Sequence, residues 1–430
     1  MNTTGLVKVF ALLLIGMSIL AFNLQRAESS GSSATKFNKN YGGAKRDEAY
    51  SVIQTSDGGY ALAGFTDSYG AGGYDFYLVK TDANGNYQWF QYYGGVLDEE
   101  AHCVIQTSDG GYVLAGYTES YGAGLADFWL VKTDATGNAL WNQTYGGPKD
   151  DIAYSVVQTS DGGYVLAGYT ESYGAGLADF WLVKTDATGT ELWNQTYGGR
   201  GSDEASSLVK TSDGGYALAG FTGSYGVGNA DFWLVKTDAT GTELWNQTYG
   251  GVSTDIAYSV IQTSDGGYVL AGYTESFGAG GDDFWLVKTY ATGNELWNQT
   301  YGGGGSDVAY SVIQTSDGGY VLAGYTESYG VGGSADFGLV KTSVDGSELW
   351  SHTFGGPLTD IAYCVIQTSD GGYALAGYTE SYGAGSADMW LVKTDETGVP
   401  EFSSFSILLL LLVASMFAMV LKKKGLTRRP

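Results

Sequence analysis

The sequence is poor in the residues that most chemistry needs. Its 430 residues include 2 Cys, 2 His, 4 Pro and 21 Lys or Arg, against 46 Asp or Glu, for a formal charge of −25. So few cysteines exclude a disulfide-stapled scaffold and a four-thiolate zinc site. Cys103 and Cys364 share one repeat phase, where other copies have Ser, but lie in the second and seventh repeats. No disulfide is expected between them, and both read as small buried residues. His102 and His352 fall in different repeats and different phases, giving neither a zinc pattern nor a Ser-His-Asp set. The shortage of positive charge argues against nucleic acid, because phosphate binding needs clustered Lys and Arg. Acidic pairs recur (Glu99 and Glu100, Asp150 and Asp151, Asp203 and Glu204), yet no stretch has the Asp-x-Asp-x-Asp-Gly spacing of a calcium loop, so no metal is expected. The aromatic load of 34 Tyr, 17 Phe and 11 Trp excludes disorder, and 68 Gly with so little Pro suits short strands joined by tight turns.

What the chain does have is repetition. Tyr258 to Gly272 reads as a hairpin, two β-rich runs flanking Ser264-Asp265-Gly266-Gly267. The same unit returns with its turn Asp at Asp57, Asp109, Asp161, Asp213, Asp265, Asp317 and Asp370, at intervals of 52 residues and finally 53. A fixed period of this size signals a repeat architecture. Each period offers four strands, in one copy Ala153 to Thr159, Tyr164 to Thr170, Asp179 to Asp186 and Leu192 to Tyr197. Their apolar residues do not alternate strictly, as expected of sheets covered on both faces. Four short strands per period with no helical pattern indicate propeller blades.

The two ends of the array decide how it closes. The last copy stops at Gly398 without its fourth strand, and Lys36 to Gly43 supplies the missing piece, with Phe37 at the Trp place. An N-terminal strand over residues 36–43 completing the last blade removes the unpaired sheet end. The fold expected is all-β, a seven-bladed propeller of four-stranded blades over residues 35–398, monomeric and closed by this velcro strand. The extra residue of the sixth interval falls in the loop Tyr329 to Asp336.

Outside the repeats, Lys8 followed by the apolar run Val9 to Phe22 reads as a signal peptide over residues 1–30. At the other end, residues 402–421 are apolar for long enough to cross a bilayer, and Lys422, Lys423, Lys424, Arg428 and Arg429 follow. The positive-inside rule makes that end cytoplasmic and puts the repeats on the extracellular side of the membrane. Pro400-Glu401-Phe402, the apolar run and the basic cluster resemble the PEF-CTERM sorting tails of archaeal surface proteins. That resemblance, over residues 399–430, implies an archaeosortase partner that exchanges the membrane helix for surface attachment.

Thr185-Asp186-Ala187-Thr188-Gly189 followed by Leu192-Trp193 resembles the tryptophan-docking repeat of PQQ-like quinoprotein propellers, and the pattern recurs at Trp141, Trp245 and Trp297. The resemblance implies a Trp packed between blades. Tyr290 in place of Asp and seven blades where those enzymes usually have eight are departures. The calcium site and cysteine pair of PQQ enzymes are not visible, so no cofactor is expected.

Candidate sites are few because the chain is nearly sevenfold symmetric. Lys80, Asp75 and their equivalents recur once per repeat and read as blade packing or turn capping. The loop between the second and third strands presents Tyr69, Tyr121, Tyr173, Tyr225, Phe277, Tyr329 and Tyr382, mostly beside an acid such as Glu119 or Glu171. A ring of aromatics with carboxylates suits stacking on sugars or attraction of cationic groups. Asn142, Asn194, Asn246 and Asn298 each begin Asn-Gln-Thr, the N-glycosylation acceptor pattern of exported proteins. The departures Lys210, Gly223, Tyr290 and Gly338 are scattered along the chain. The expected function is therefore a non-enzymatic, surface-anchored binding, adhesion or envelope-structural module, with a glycan or envelope protein as partner. The competing reading is a quinoprotein-like or carbohydrate-active enzyme, which would need unique His, Arg or carboxylate groups at the propeller axis.

Overall fold

The computed structural model describes residues 36–399. The signal segment, the apolar run 402–421 and the motif Pro400-Glu401-Phe402 lie outside them. Among the described residues no helix is long and apolar enough to cross a membrane. The described chain forms 28 strands in seven four-stranded antiparallel sheets. It is the seven-bladed propeller that the period implies.

Blade 3 shows the pattern: β10 (Asp151–Gln158), β11 (Tyr164–Thr170), β12 (Asp179–Thr185) and β13 (Glu191–Tyr197) pair in chain order. Its neighbours are blade 1 (47–93), blade 2 (99–145), blade 4 (203–249), blade 5 (255–301), blade 6 (307–354) and blade 7 (360–393). The first strands touch one another around the axis and the fourth strands face solvent. All of β12 and nearly all of β11 are buried, which is why their apolar residues run on without alternation. The first strand begins two residues earlier than the pattern suggested. Asp151 N–H bonds Ala126 O of blade 2 at 2.7 Å, and its carboxylate accepts from Gly147 N–H at 2.7 Å.

The core lies between blades. One cluster joins Val113, Phe128 and Leu130 of blade 2 to Val156, Leu166 and Trp181 of blade 3. The outer-strand Trp141 packs 6.0 Å from Tyr164 of blade 3, with its ring against Gly189 of that blade's last turn. A Cβ on Gly189, at φ 81°, would meet the ring within 2.7 Å, so the turn keeps glycine for both dihedral and space. In the same way Tyr93 Oη donates to Gly137 O of blade 2 at 2.6 Å.

The recurrent lysine caps the hairpin turn within its own blade. Lys132 Nζ, almost fully buried, lies 3.0 Å from Asp109 Oδ2 and 2.7 Å from Thr133 O. Asp109 Oδ1 also accepts from Thr107 Oγ1 at 2.5 Å and Gly111 N–H at 2.9 Å.

Closure follows the expected register. Strand β1 (Phe37–Tyr41) pairs antiparallel with β28 (Asp388–Lys393), Phe37 opposite Lys393 and Tyr41 opposite Met389. Phe37 takes the Trp place, edge-on to Tyr60 at 5.9 Å, and Tyr41 Oη donates to Gly85 O at 2.7 Å. The closing strand thus repeats the interblade contacts of Trp141 and Tyr93. Both cysteines are free; Cys103 Sγ stands 3.9 Å from Val156 O, at the position from which Ser51 Oγ accepts Val104 N–H.

Candidate functional site: the loop face and the axis

Each blade sends its hairpin and last turns to one face of the disc, the turn face. Its long loops and interblade connections go to the other, the loop face. The seven loop aromatics stand on the loop face, six of them 45–62% exposed. They also clasp neighbouring blades. Tyr121 Oη donates to Gly94 O at 3.0 Å and Tyr173 Oη to Gly146 O at 2.8 Å, with Tyr225, Tyr329 and Tyr382 alike. Every ring but Tyr329 leans on an aromatic of its own third strand, as Tyr121 does on Trp129 at 5.7 Å. Tyr69 is mostly covered, stacked on Phe90 at 4.8 Å, and Phe277 lacks the hydroxyl. The ring therefore offers edges and part-faces rather than free rings.

Beneath it, each blade junction holds two buried carboxylates with no cation. Asp127 Oδ2 accepts from Ala123 N–H at 2.7 Å, while its Oδ1 and Oδ1 of Asp151 have no hydrogen-bond partner. Both converge on Gly146, where a Cβ would lie 1.9 Å from Asp127 Oδ1 and 2.8 Å from Asp151 Oδ2. Desolvation, with the charge of Glu99 adding to it and the Ala71 N–H bond opposing it, raises Asp75 to about 6. Burial pushes Asp127, Asp179, Asp283, Asp336 and Asp388 upward too.

The axis is where sevenfold symmetry fails. Every first strand carries a bulge, at Tyr154 in β10, which releases that residue from the ladder. The bulge residues close around the axis: Tyr50–His102 at 5.1 Å, His102–Tyr154 at 4.8 Å, Tyr258–Tyr310 at 4.8 Å, Tyr310–Tyr363 at 5.0 Å and Tyr363–Tyr50 at 4.9 Å. In blade 4 the bulge residue is Ser206, and the aromatic ring has a notch there. Two residues earlier in each strand, four blades have Ile or Val while three have Glu48, Glu100 and Glu204.

These three carboxylates are not equivalent. Glu48 pairs with Arg46, whose guanidinium also lies 5.9 Å over Phe65 and 5.8 Å over Tyr378. Burial raises Glu48 to about 7 even against that ion pair. Burial also raises Glu100, opposed by hydrogen bonds from the Tyr117 and Tyr50 hydroxyls. Glu204 has a single side-chain partner, Ser202 Oγ at 3.1 Å, and it opens into a cavity of about 530 Å³ with Tyr154, Ser206, Phe221 and Tyr258. Burial drops His102 to about 3, so the imidazole is neutral at ordinary pH. A neutral, aromatic cup with one accessible carboxylate suits a cationic or hydroxyl-rich group.

Sequence reasoning missed this set. It recorded His102 and the acid pairs with Glu100 and Glu204 separately, and Arg46, Glu48 and Ser206 not at all. Comparing one phase at a time across the seven copies would have found them, since Glu replaces Ile or Val where its cross-strand partners are Phe65, Tyr117 and Phe221. These departures converge on the axis, while Lys210 and Tyr290 stay apart on the turn face.

The four sequon asparagines sit on exposed outer strands, each with Oδ1 accepting a tryptophan Nε1–H, Asn142 from Trp129 at 3.2 Å. Their Nδ2 groups face outward, and Asn194, Asn246 and Asn298 donate there to Glu191, Glu243 and Glu295. His352 lies on an outer strand, far from His102 in the chain, with Nε2 3.0 Å from Thr397 O. Among the described residues no group of three His, Cys, Asp or Glu could hold a metal ion.

No protein-family model matches the chain. Over 335 residues it is 24% identical to the regulatory protein FlaEY of Caulobacter vibrioides, covering 70% of this chain and 33% of that protein. The chain thus spans about a third of the length of this curated relative. Among solved structures, the Pan2 WD40 domain of Neurospora crassa shares the fold at a TM-score of 0.52 and 9% identity, over 86% of this chain and 99% of that one. Puromycin hydrolase gives 0.48 and 13%, over 78% and 51% of the two chains. BamB from Moraxella catarrhalis gives 0.39 and 12%, over 83% and 100%. These likenesses are of fold.

Proposed function

We propose that the chain is an exported, surface-anchored propeller that binds rather than catalyses, with the loop face and its axial cup as the recognition surface. The observation that carries this is the distribution of difference. Arg46, Glu48, Glu100, His102, Glu204 and Ser206 gather on the axis, while the turn face repeats the same Lys–Asp cap in every blade. Seven aromatic edges held rigidly around that cup give multivalency, in which weak similar contacts add through effective concentration. A glycan or another envelope component fits such a surface. The apolar run 402–421 would hold the chain in the membrane until an archaeosortase reads Pro400-Glu401-Phe402, and Asn142, Asn194, Asn246 and Asn298 would carry glycans. The Trp141-type packing between blades agrees with the PQQ-like repeat resemblance, as fold and not as cofactor chemistry.

An enzyme is the second reading, favoured by the blade-specific groups on the axis. Against it, Glu48 is ion-paired, Glu100 is held by tyrosine hydroxyls and His102 is neutral, which leaves no acid–base pair poised around Glu204.

The test is capture of components from the native envelope fraction by the full chain. Replacing Tyr121, Tyr173 and Tyr225 by Ala together is expected to weaken capture at least about tenfold with the far-ultraviolet spectrum unchanged. Capture that survives both this variant and Glu204→Gln would overturn the loop-face reading. Turnover of any candidate substrate lost in Glu204→Gln would favour the enzyme.

A further inference from the structure

We propose that blade 6 holds a binding site for an aromatic ring bearing an edge N–H or O–H donor, seated where the neighbouring blades keep a tryptophan. In blades 2 to 5 the third strand carries Trp129, Trp181, Trp233 and Trp285. Each packs on the preceding blade's phenylalanine at 4.5–4.6 Å and leans on its own loop aromatic at 5.4–5.7 Å. Each donates Nε1–H to an outer-strand asparagine at 3.2 Å.

Blade 6 loses both partners of that hydrogen bond at once. Gly338 stands for the tryptophan and Ser351 for the asparagine. Tyr329, at the start of the loop with the extra residue, lines the same space. The missing tryptophan, the missing asparagine and the altered loop thus meet at one place in blade 6.

The space is open to water rather than collapsed. Thr326 is 5% exposed where its equivalents Thr118, Thr170, Thr222 and Thr274 are 0%, and Val340 is 8% exposed where Val183 and Val235 are 0%. Tyr329, without its tryptophan, is 62% exposed against 46% for Tyr121. A cavity of about 650 Å³ results, walled by Phe284, Tyr301, Tyr329, Ser351, His352 and Thr353. A hole of this kind forfeits packing on all its walls, so an occupant restores what the repeat gives elsewhere.

The walls select the occupant. Phe284 offers the ring surface on which the other tryptophans pack, and Tyr329 offers a second at the mouth. Ser351 places a hydroxyl acceptor where the asparagine amide stood, one atom shorter, and Thr353 stands opposite Gly338, so a donor on the ring edge is matched. No Lys or Arg lines the cavity, so neither carboxylate nor phosphate is favoured in this acidic chain.

The test uses the full chain with indole and N-acetyl-tryptophanamide as probes, and cyclohexanol and glucose as controls, followed by NMR titration and thermal unfolding. Saturable binding of indole, weakened at least tenfold by Gly338→Trp, is the expected result. The Gly338→Trp chain should fold, since tryptophan occupies this phase in neighbouring blades. Tyr329→Ala, on the exposed rim, should also weaken binding if Gly338→Trp does not fold. Binding of the tryptophanamide as well points to a protein side chain as the natural occupant; binding of indole alone points to a small molecule. Absence of saturable aromatic binding, equal binding by Gly338→Trp, or glucose binding as well as indole would each overturn the proposal. None of these outcomes depends on envelope capture through the tyrosine ring.

Discussion

The two faces of the disc are built from one repeat, yet they treat their carboxylates in opposite ways. On the turn face every hairpin Asp meets a buried lysine and a threonine hydroxyl. Thr107's hydrogen bond, against some desolvation and together with Gly111 N–H and Lys132, draws Asp109 down to about 2. On the loop face the junction pairs have no cation, and burial with the neighbouring charge lifts Asp75 to about 6. The difference separates the tasks. The turn face completes its own electrostatics seven times over, and its blade-specific changes, Lys210 for glutamine and Tyr290 and Ser343 for the last-turn Asp, leave every Lys–Asp cap in place. The loop face keeps exposed aromatics and the blade-specific groups of the axial cup, so it has interaction capacity left for something else.

The largest expected break in this contrast comes from a pair of substitutions with opposite outcomes. Lys184→Met strips a buried cap from Asp161, Thr159 and Thr185 O and is expected to cost about 1.5–3 kcal/mol, the scale of a lost charge-assisted hydrogen bond. Asp127→Asn removes one of two like charges at a junction and is expected to be neutral or stabilising. Urea unfolding of the two variants reads both signs. A stabilising Lys184→Met or a strongly destabilising Asp127→Asn would erase the distinction between the faces.

Acid titration is the next effect. Asp75 binds its proton more tightly in the folded chain, so its contribution is full below the ordinary value of 3.8 and fades as pH rises through about 6. Asp109 behaves oppositely: its contribution is present above 3.8 and is lost as pH falls through about 2. The melting temperature should therefore climb as pH drops from 7 toward 4 and turn down below that. In Asp127→Asn the climb should be shallower. A curve flat across this range would show that the junction carboxylates do not differ from those of the turns.

The smallest effect concerns the clasp. Tyr173→Phe loses the 2.8 Å bond to Gly146 O and should cost about 0.5–1.5 kcal/mol. Phe277→Tyr, which adds the hydroxyl where blade 5 lacks it, should recover a similar amount. If both changes are silent, the hydroxyls are surface groups free for a partner.

Most of the fold was legible because a period of 52 residues and the transfer of Phe37 to Tyr41 to the last blade admit one closure. The recurrent lysine reads from sequence as blade packing or turn capping, and the structure selects the cap, its partner being the hairpin Asp of the same blade. The axial site was harder to see for a physical reason. The bulge at Tyr154 shifts the face alternation within the first strand, so residues that line the axis do not follow a simple period of two. Glu48 and Glu100 are also one period apart and Glu204 two further on, and only closure of the ring brings them around the axis. Gly338 likewise stands alone in the sequence, and Ser351 gains meaning as its counterpart only when β-pairing sets the two strands side by side.

The closing strand has one more consequence. Phe37 opposes Lys393, so the chain enters β1 and leaves β28 at the same edge of blade 7, and Lys36 pairs with Asp395 there. That edge belongs to the turn face. A tether at either end would therefore pull from this side, and the aromatic rim would stay free on the opposite face.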